Sequence, residues 1–166
     1  FLIATALGAG FLIYFTIFLG IARLLYREVY LLLAAITILL SLREIKQLMC
    51  LAAKLGSRIR QRLKPNMAGM LLLAYIFFII IIGLGTLAPV SEFDSLSYHL
   101  AFAKVYANSH SLVYQPTQTY TTMPQGMTMI YTISELFSAP NLSSLIAYSF
   151  GIFASLAIYA IVKKRH

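Results

Sequence analysis

Acidic side chains are scarce in this chain. Asp and Glu together number five in 166 residues, against 13 Lys and Arg. There is one cysteine, Cys50, and no tryptophan. A single cysteine excludes an internal disulfide, and no Cys/His spacing matches a zinc site. No internal repeat or low-complexity tract is present. Charge is missing altogether from 67–90, which holds the apolar run Ile76 to Ile82. What remains is 60% hydrophobic, with a mean hydropathy of +0.83 and a formal charge of +8. A soluble domain of this size could not hide so much apolar surface, so the composition implies an integral membrane protein.

The positive charge is concentrated. Arg43, Lys46, Lys54, Arg58, Arg60, Arg62 and Lys64 face Glu44 alone. Such a cluster in a soluble protein would suggest nucleic acid. Between two apolar segments it marks the cytoplasmic side and anionic headgroups, and no nucleic acid partner is expected. The chain begins at Phe1 rather than Met and closes on Lys163-Lys164-Arg165-His166 directly after an apolar run. Both ends read as cuts in a longer polytopic protein. The first apolar segment lacks a basic start and is long enough to span, which favours a retained helix over a signal peptide.

An all-α, polytopic membrane fold with about four spans follows, as the N-terminal part of one transmembrane domain over 1–166. The spans fall at about 1–25, 26–42, 67–90 and 143–162. At about 1.5 Å per residue, 67–90 crosses the roughly 30 Å hydrocarbon core. Segment 29–42 makes only about 21 Å of helix. It either crosses with help from Tyr26 and the Arg43 and Lys46 stems or is re-entrant. The basic loop 43–66 and the basic tail belong in the cytoplasm by the positive-inside rule, which makes 91–142 external. Within the basic loop, Leu42, Ile45, Leu48, Met49, Ala52 and Leu55 recur at helical spacing. They suit a surface-lying amphipathic helix or an extension of the preceding span.

The external loop is not disordered in composition, since it holds Tyr98, Tyr106, Tyr114, Tyr120 and Tyr131. Residues 95–108 read as one helix with Leu96, His99, Leu100, Ala103 and Ala107 on a face. Residues 112–123 read as an extended loop, and 124–137 as a second helix with Pro124 in its first turn. Both helices are apolar enough to lie on the bilayer surface. In the last span Ser143, Ala147, Gly151 and Ser155 repeat every four residues, a spacing that lets helices approach closely.

Two of the five acids, Glu92 and Asp94, stand just outside the span at 67–90, with Tyr98, His99 and Lys104 behind them. A carboxylate there can take a proton, orient a nucleophile or hold a metal. Asp94 can equally be the N-cap of the following helix. The pair would share a face in an extended segment but point about 200° apart in a helix, which favours Asp94. In α-helical geometry His99 lies about 140° from residue 94. An external His or Lys can meet a lipid phosphate. The plainer roles are interfacial packing for His99, a snorkelling stem for Lys104 and interfacial anchoring for the tyrosines.

The string Pro89, Asp94, Ser95, Leu96, Ser97, Tyr98, His99, Leu100, Lys104, then Pro124 and Met129-Ile130-Tyr131, resembles the C-superfamily of integral-membrane glycosyltransferases. The similar branch contains the protein O-mannosyltransferases and aminoarabinose transferases. The resemblance implies a prokaryotic cytoplasmic-membrane enzyme with its active site on the external face. It implies transfer of a sugar from a polyprenyl-phosphate carrier to a glycan, lipid or protein acceptor, so membrane lipid and a lipid-linked donor are partners. Asp94 takes the place of the family's loop acid, with a divalent metal nearby in some members; Glu92 supports it. His99, Tyr98 and Lys104 become the substrate-binding candidates. The chain departs from the pattern in separating its acids by Phe93. Thr128 also stands where many members carry a second-helix acid. The fragment alone is expected to be inactive. The rival readings are a transporter or channel fragment and a non-catalytic membrane subunit whose external loop binds a partner. Spans without ionisable residues near their centres count against a transporter.

Overall fold

The computed structural model describes residues 2–42, 44, 50, 66–91, 93, 95–116 and 125–165. Glu92 and Asp94, most of the basic loop with its expected amphipathic helix, and residues 117–124 lie outside them. The described residues are helical, with no strand among them. The helices are α1 (Leu2–Ile21), α2 (Arg27–Leu40), α3 (Met67–Gly85), α4 (Leu100–Ser109), α5 (Gly126–Leu136) and α6 (Pro140–Arg165). A π-helical turn, Ser95–His99, leads directly into α4.

The chain divides into two compact units, one of 1–29 with 86–166 and one of 30–85. The second unit holds most of α2 and all of α3. Asn66 caps α3, its side-chain oxygen accepting from the Gly69 N–H at 2.8 Å, as the first turn of a helix requires. The helix stops at Gly85 rather than running to 90. Pro89 disfavours helical geometry in the residue before it, and a turn at 86–87 intervenes.

In the first unit the core is built by the short helices. Phe102, Ala103, Tyr106 and Ala107 of α4 are buried, as are Met129, Ile130, Thr128 and Thr132 of α5. Leu100 joins them, but Leu96 is exposed, so the buried face of 95–108 differs from the expected one. The π turn is the cause, since it breaks the 3.6-residue period on which that face was drawn. Ser97 bonds back to the carbonyl of Phe93, four residues earlier, a contact that bends helices.

α1 and α6 touch this core only at one end each. The buried residues of α1 are Thr16, Leu19 and Gly20, near its C-terminus. Those of α6 reduce to Ser143, near its N-terminus. α1 thus runs toward the core and α6 away from it. Each is long and apolar enough to cross a membrane, over Leu2–Ile21 and Pro140–Lys163. Nearly all of their length is uncovered by the rest of the chain, unlike the core helix of a soluble protein. These two helices support membrane association.

Among the described residues, three other than glycine take left-handed backbone conformations: Arg23, His110 and Ser138. Each follows a helix C-terminus and closes it in the same way. After α4, the Ser111 N–H reaches the Tyr106 carbonyl and the His110 N–H reaches that of Ala107. The corresponding pairs are Leu24 to Leu19 with Arg23 to Gly20, and Ala139 to Ser134 with Ser138 to Glu135. This is the Schellman closure, which usually employs glycine.

Candidate functional site

The π turn and the start of α4 bring His99 against α5. His99 Nδ1 lies 3.3 Å from the Thr128 hydroxyl, and its ring meets the edge of Tyr131 with centroids 6.2 Å apart. Tyr98 packs its ring 4.3 Å from the imidazole. Lys104 is exposed on the solvent side of α4, near enough to Glu135 of α5 to influence it. Burial pushes the Glu135 carboxyl up from the ordinary range, and Lys104 draws it partly back. Residue 99 thus pairs with 128 and 131, and 104 with 135. The order rises along both helices, so they run in the same sense.

The hydroxyls on α5 explain how so polar a helix can be a core helix. Thr132 donates to the Thr128 carbonyl at 2.8 Å and Ser134 to the Tyr131 carbonyl at 2.7 Å. A hydroxyl satisfied by its own helix turns a small, nearly apolar surface to its neighbours. That surface lets α4 and α5 approach closely, and Phe102 of α4 and Met129 of α5 are both buried.

A joint ties this unit to the end of α1. His110 Nδ1 lies 2.7 Å from the Leu25 carbonyl, and its ring stacks on Tyr26 at 4.2 Å. The Leu25 N–H donates to the His110 carbonyl, and the Leu112 N–H to that of Gly20 at 3.0 Å. A Cβ on Gly20 would sit 2.5 Å from Leu112 Cγ, so only glycine admits this approach. On the other flank Asn141 donates to the Leu87 carbonyl at 3.2 Å, which holds the start of α6 near the segment after α3. Composition gave no sign of either contact.

The structure therefore brings together His99 and Tyr98, adds Thr128 and Tyr131, and leaves Lys104 on the neighbouring surface beside Glu135. Asp94 and Glu92 lie outside the described residues, and the expected metal rests on Asp94. Among the described residues no three His, Cys, Asp or Glu side chains cluster as a metal site would require. The cleft between α1 and α6, lined by Leu2, Thr5, Ala6, Phe150, Phe153 and Ala154, carries no ionisable group. Sequence reasoning missed Thr128 as a contact of His99. Its signal was present, since Thr128 lies three residues before Tyr131 and faces the same way on a helix.

No family model matches the chain, and no curated protein or solved structure matches it.

Proposed function

We propose that this chain belongs to a membrane glycosyltransferase that moves a sugar from a polyprenyl-phosphate carrier to an acceptor at the outer face of a prokaryotic cytoplasmic membrane. The observation that carries the reading is the arrangement of the first unit. The ends of two span-length helices converge on a small packed core, and the turn that follows residue 94 opens that core with His99 between Tyr98 and Tyr131. In this reading a lipid-borne phosphate and an acceptor from outside meet at that core.

In the proposed reaction the acceptor hydroxyl oxygen forms a bond to the anomeric carbon of the sugar. The bond from that carbon to the phosphate oxygen breaks, and polyprenyl phosphate leaves with the electron pair. Asp94 takes the hydroxyl proton, because a neutral hydroxyl is a poor nucleophile. Glu92 supports it. Where a divalent ion takes part, Asp94 is the residue to hold it, and its charge would offset that of the donor phosphate. His99 and Lys104 supply donors to the phosphate, and Tyr98 packs against the sugar or the lipid.

The test uses the full-length protein in proteoliposomes supplied with a labelled polyprenyl-phosphate sugar and an extract of cell-envelope acceptors. Covalent transfer of label is expected. Movement of sugar across the bilayer without a new covalent bond would favour a transporter instead. The outer-face placement is tested in intact cells. With Cys50 replaced by Ser, cysteine at Ser109 should react with an impermeant thiol reagent and cysteine at Ser57 should not. The reverse pattern would overturn the placement.

A further inference from the structure

We propose that Thr128 is a positioning residue that fixes the tautomer of His99, so that His99 presents Nε2–H as a hydrogen-bond donor to the phosphate of an isoprenoid lipid. The inference rests on the transferase reading for the ligand, and on geometry for the tautomer. Thr128 is 1% exposed, so its hydroxyl has no access to water. Its hydroxyl has one proton to give, and among the described residues its one hydrogen-bond contact is with His99 Nδ1 at 3.3 Å. A neutral imidazole that accepts at Nδ1 carries its proton on Nε2. Among the described residues Nε2 has no partner, and His99 is only half-buried, so this nitrogen is available to a ligand.

The neighbours hold the ring in place. The edge of Tyr131 and the tilted ring of Tyr98 limit its rotation about χ2. Thr132 donates to the Thr128 carbonyl, which pins the turn of α5 that carries the hydroxyl. The ring thus has one nitrogen committed to Thr128 and one with no partner among the described residues. A donor of this kind suits a phosphate oxygen, because charge-assisted hydrogen bonds are stronger than neutral ones.

The experiment is 15N NMR of the full-length protein labelled at histidine, in detergent micelles and in alkaline buffer where imidazole is neutral. The His99 signals are assigned by their loss in His99→Gln. The expected wild-type pattern has a protonated Nε2 and an unprotonated Nδ1. Thr128→Val should mix or invert it, and Thr128→Ser should restore it. Farnesyl phosphate should shift the Nε2 signal, whereas farnesol and inorganic phosphate should not. In the transfer assay, Thr128→Val should raise KM for the lipid-linked donor about tenfold with kcat little changed. A protonated Nδ1 in the wild type, or a Thr128→Val spectrum like that of the wild type, would overturn the tautomer assignment. An Nε2 signal unmoved by farnesyl phosphate, or moved equally by farnesol or inorganic phosphate, would overturn the ligand assignment. The expected NMR pattern in a protein without sugar transfer would refute the transferase reading alone.

Discussion

The long helices and the short ones contrast in what covers them. α1 and α6 are the most apolar continuous segments of the first unit, yet Leu7 and Phe11 are 69% and 58% exposed. α4 and α5 are shorter, and α5 is richer in Thr, Ser and Tyr, yet Phe102 is 1% exposed. Apolar content therefore does not track burial within this chain. The long helices are largely uncovered within this chain, and their length and composition fit a bilayer. The short ones bury their side chains on each other, which makes them the part with a definite internal geometry. A site that must hold a phosphate and a hydroxyl in register belongs on the second kind of element.

The sharpest way to break that contrast is a paired truncation. Phe102→Ala should destabilise the folded protein by about 3–5 kcal/mol, the usual cost of emptying an aromatic core position. Phe11→Ala removes the same atoms from a surface turned outward and should cost less than about 1 kcal/mol in the same detergent unfolding measurement. Equal losses would mean that α1 is packed by protein over its whole length. Next in size is the joint. Gly20→Val should cost about 1–3 kcal/mol, because a Cβ there would sit 2.5 Å from Leu112 Cγ and the Leu112 side chain must shift to admit it. The neighbouring Gly10 has nothing within 4 Å of such a Cβ, so Gly10→Val should be far milder.

Much of this architecture was legible from residue patterns. Uncharged length alone marked α1, α3 and α6, and helical spacing marked α4 and α5. The buried face of α4 was not legible, because the π turn at Ser95–His99 breaks the period that places Leu96 beside Leu100. The core role of α5 was hidden for a different reason. Thr128, Thr132 and Ser134 carry polar groups on its buried side, and their hydroxyls bond within the helix or to His99. The joint at His110 was invisible as well, since a histidine in place of glycine carries no sequence mark of a left-handed helix end. Of the candidate site, His99 and Tyr98 pack ring against ring. Lys104 lies exposed on α4, near enough to Glu135 to influence it.

The smallest expected effect concerns that carboxyl. Burial raises the Glu135 pKa in the folded state above its unfolded value, so the folded state binds the proton more tightly. Its contribution favours folding at low pH and is lost as pH rises from the ordinary carboxylate range through the raised value. Glu135→Gln should flatten this part of the stability profile. A Gln variant whose stability falls with pH as steeply as the wild type would place the titrating group elsewhere.

The central claim is that Asp94 is the reacting acid of the proposed transfer. The direct measurement is sugar transfer from a polyprenyl-phosphate donor by the full-length Asp94→Asn protein, in membranes holding equal amounts of variant and wild type. Asn caps a helix as well as Asp does, so a structural role predicts little change. The proposed role predicts a loss of about 10²-fold or more with the unfolding temperature unchanged, because an amide cannot accept the acceptor's proton. Near-normal turnover by Asp94→Asn would contradict the account.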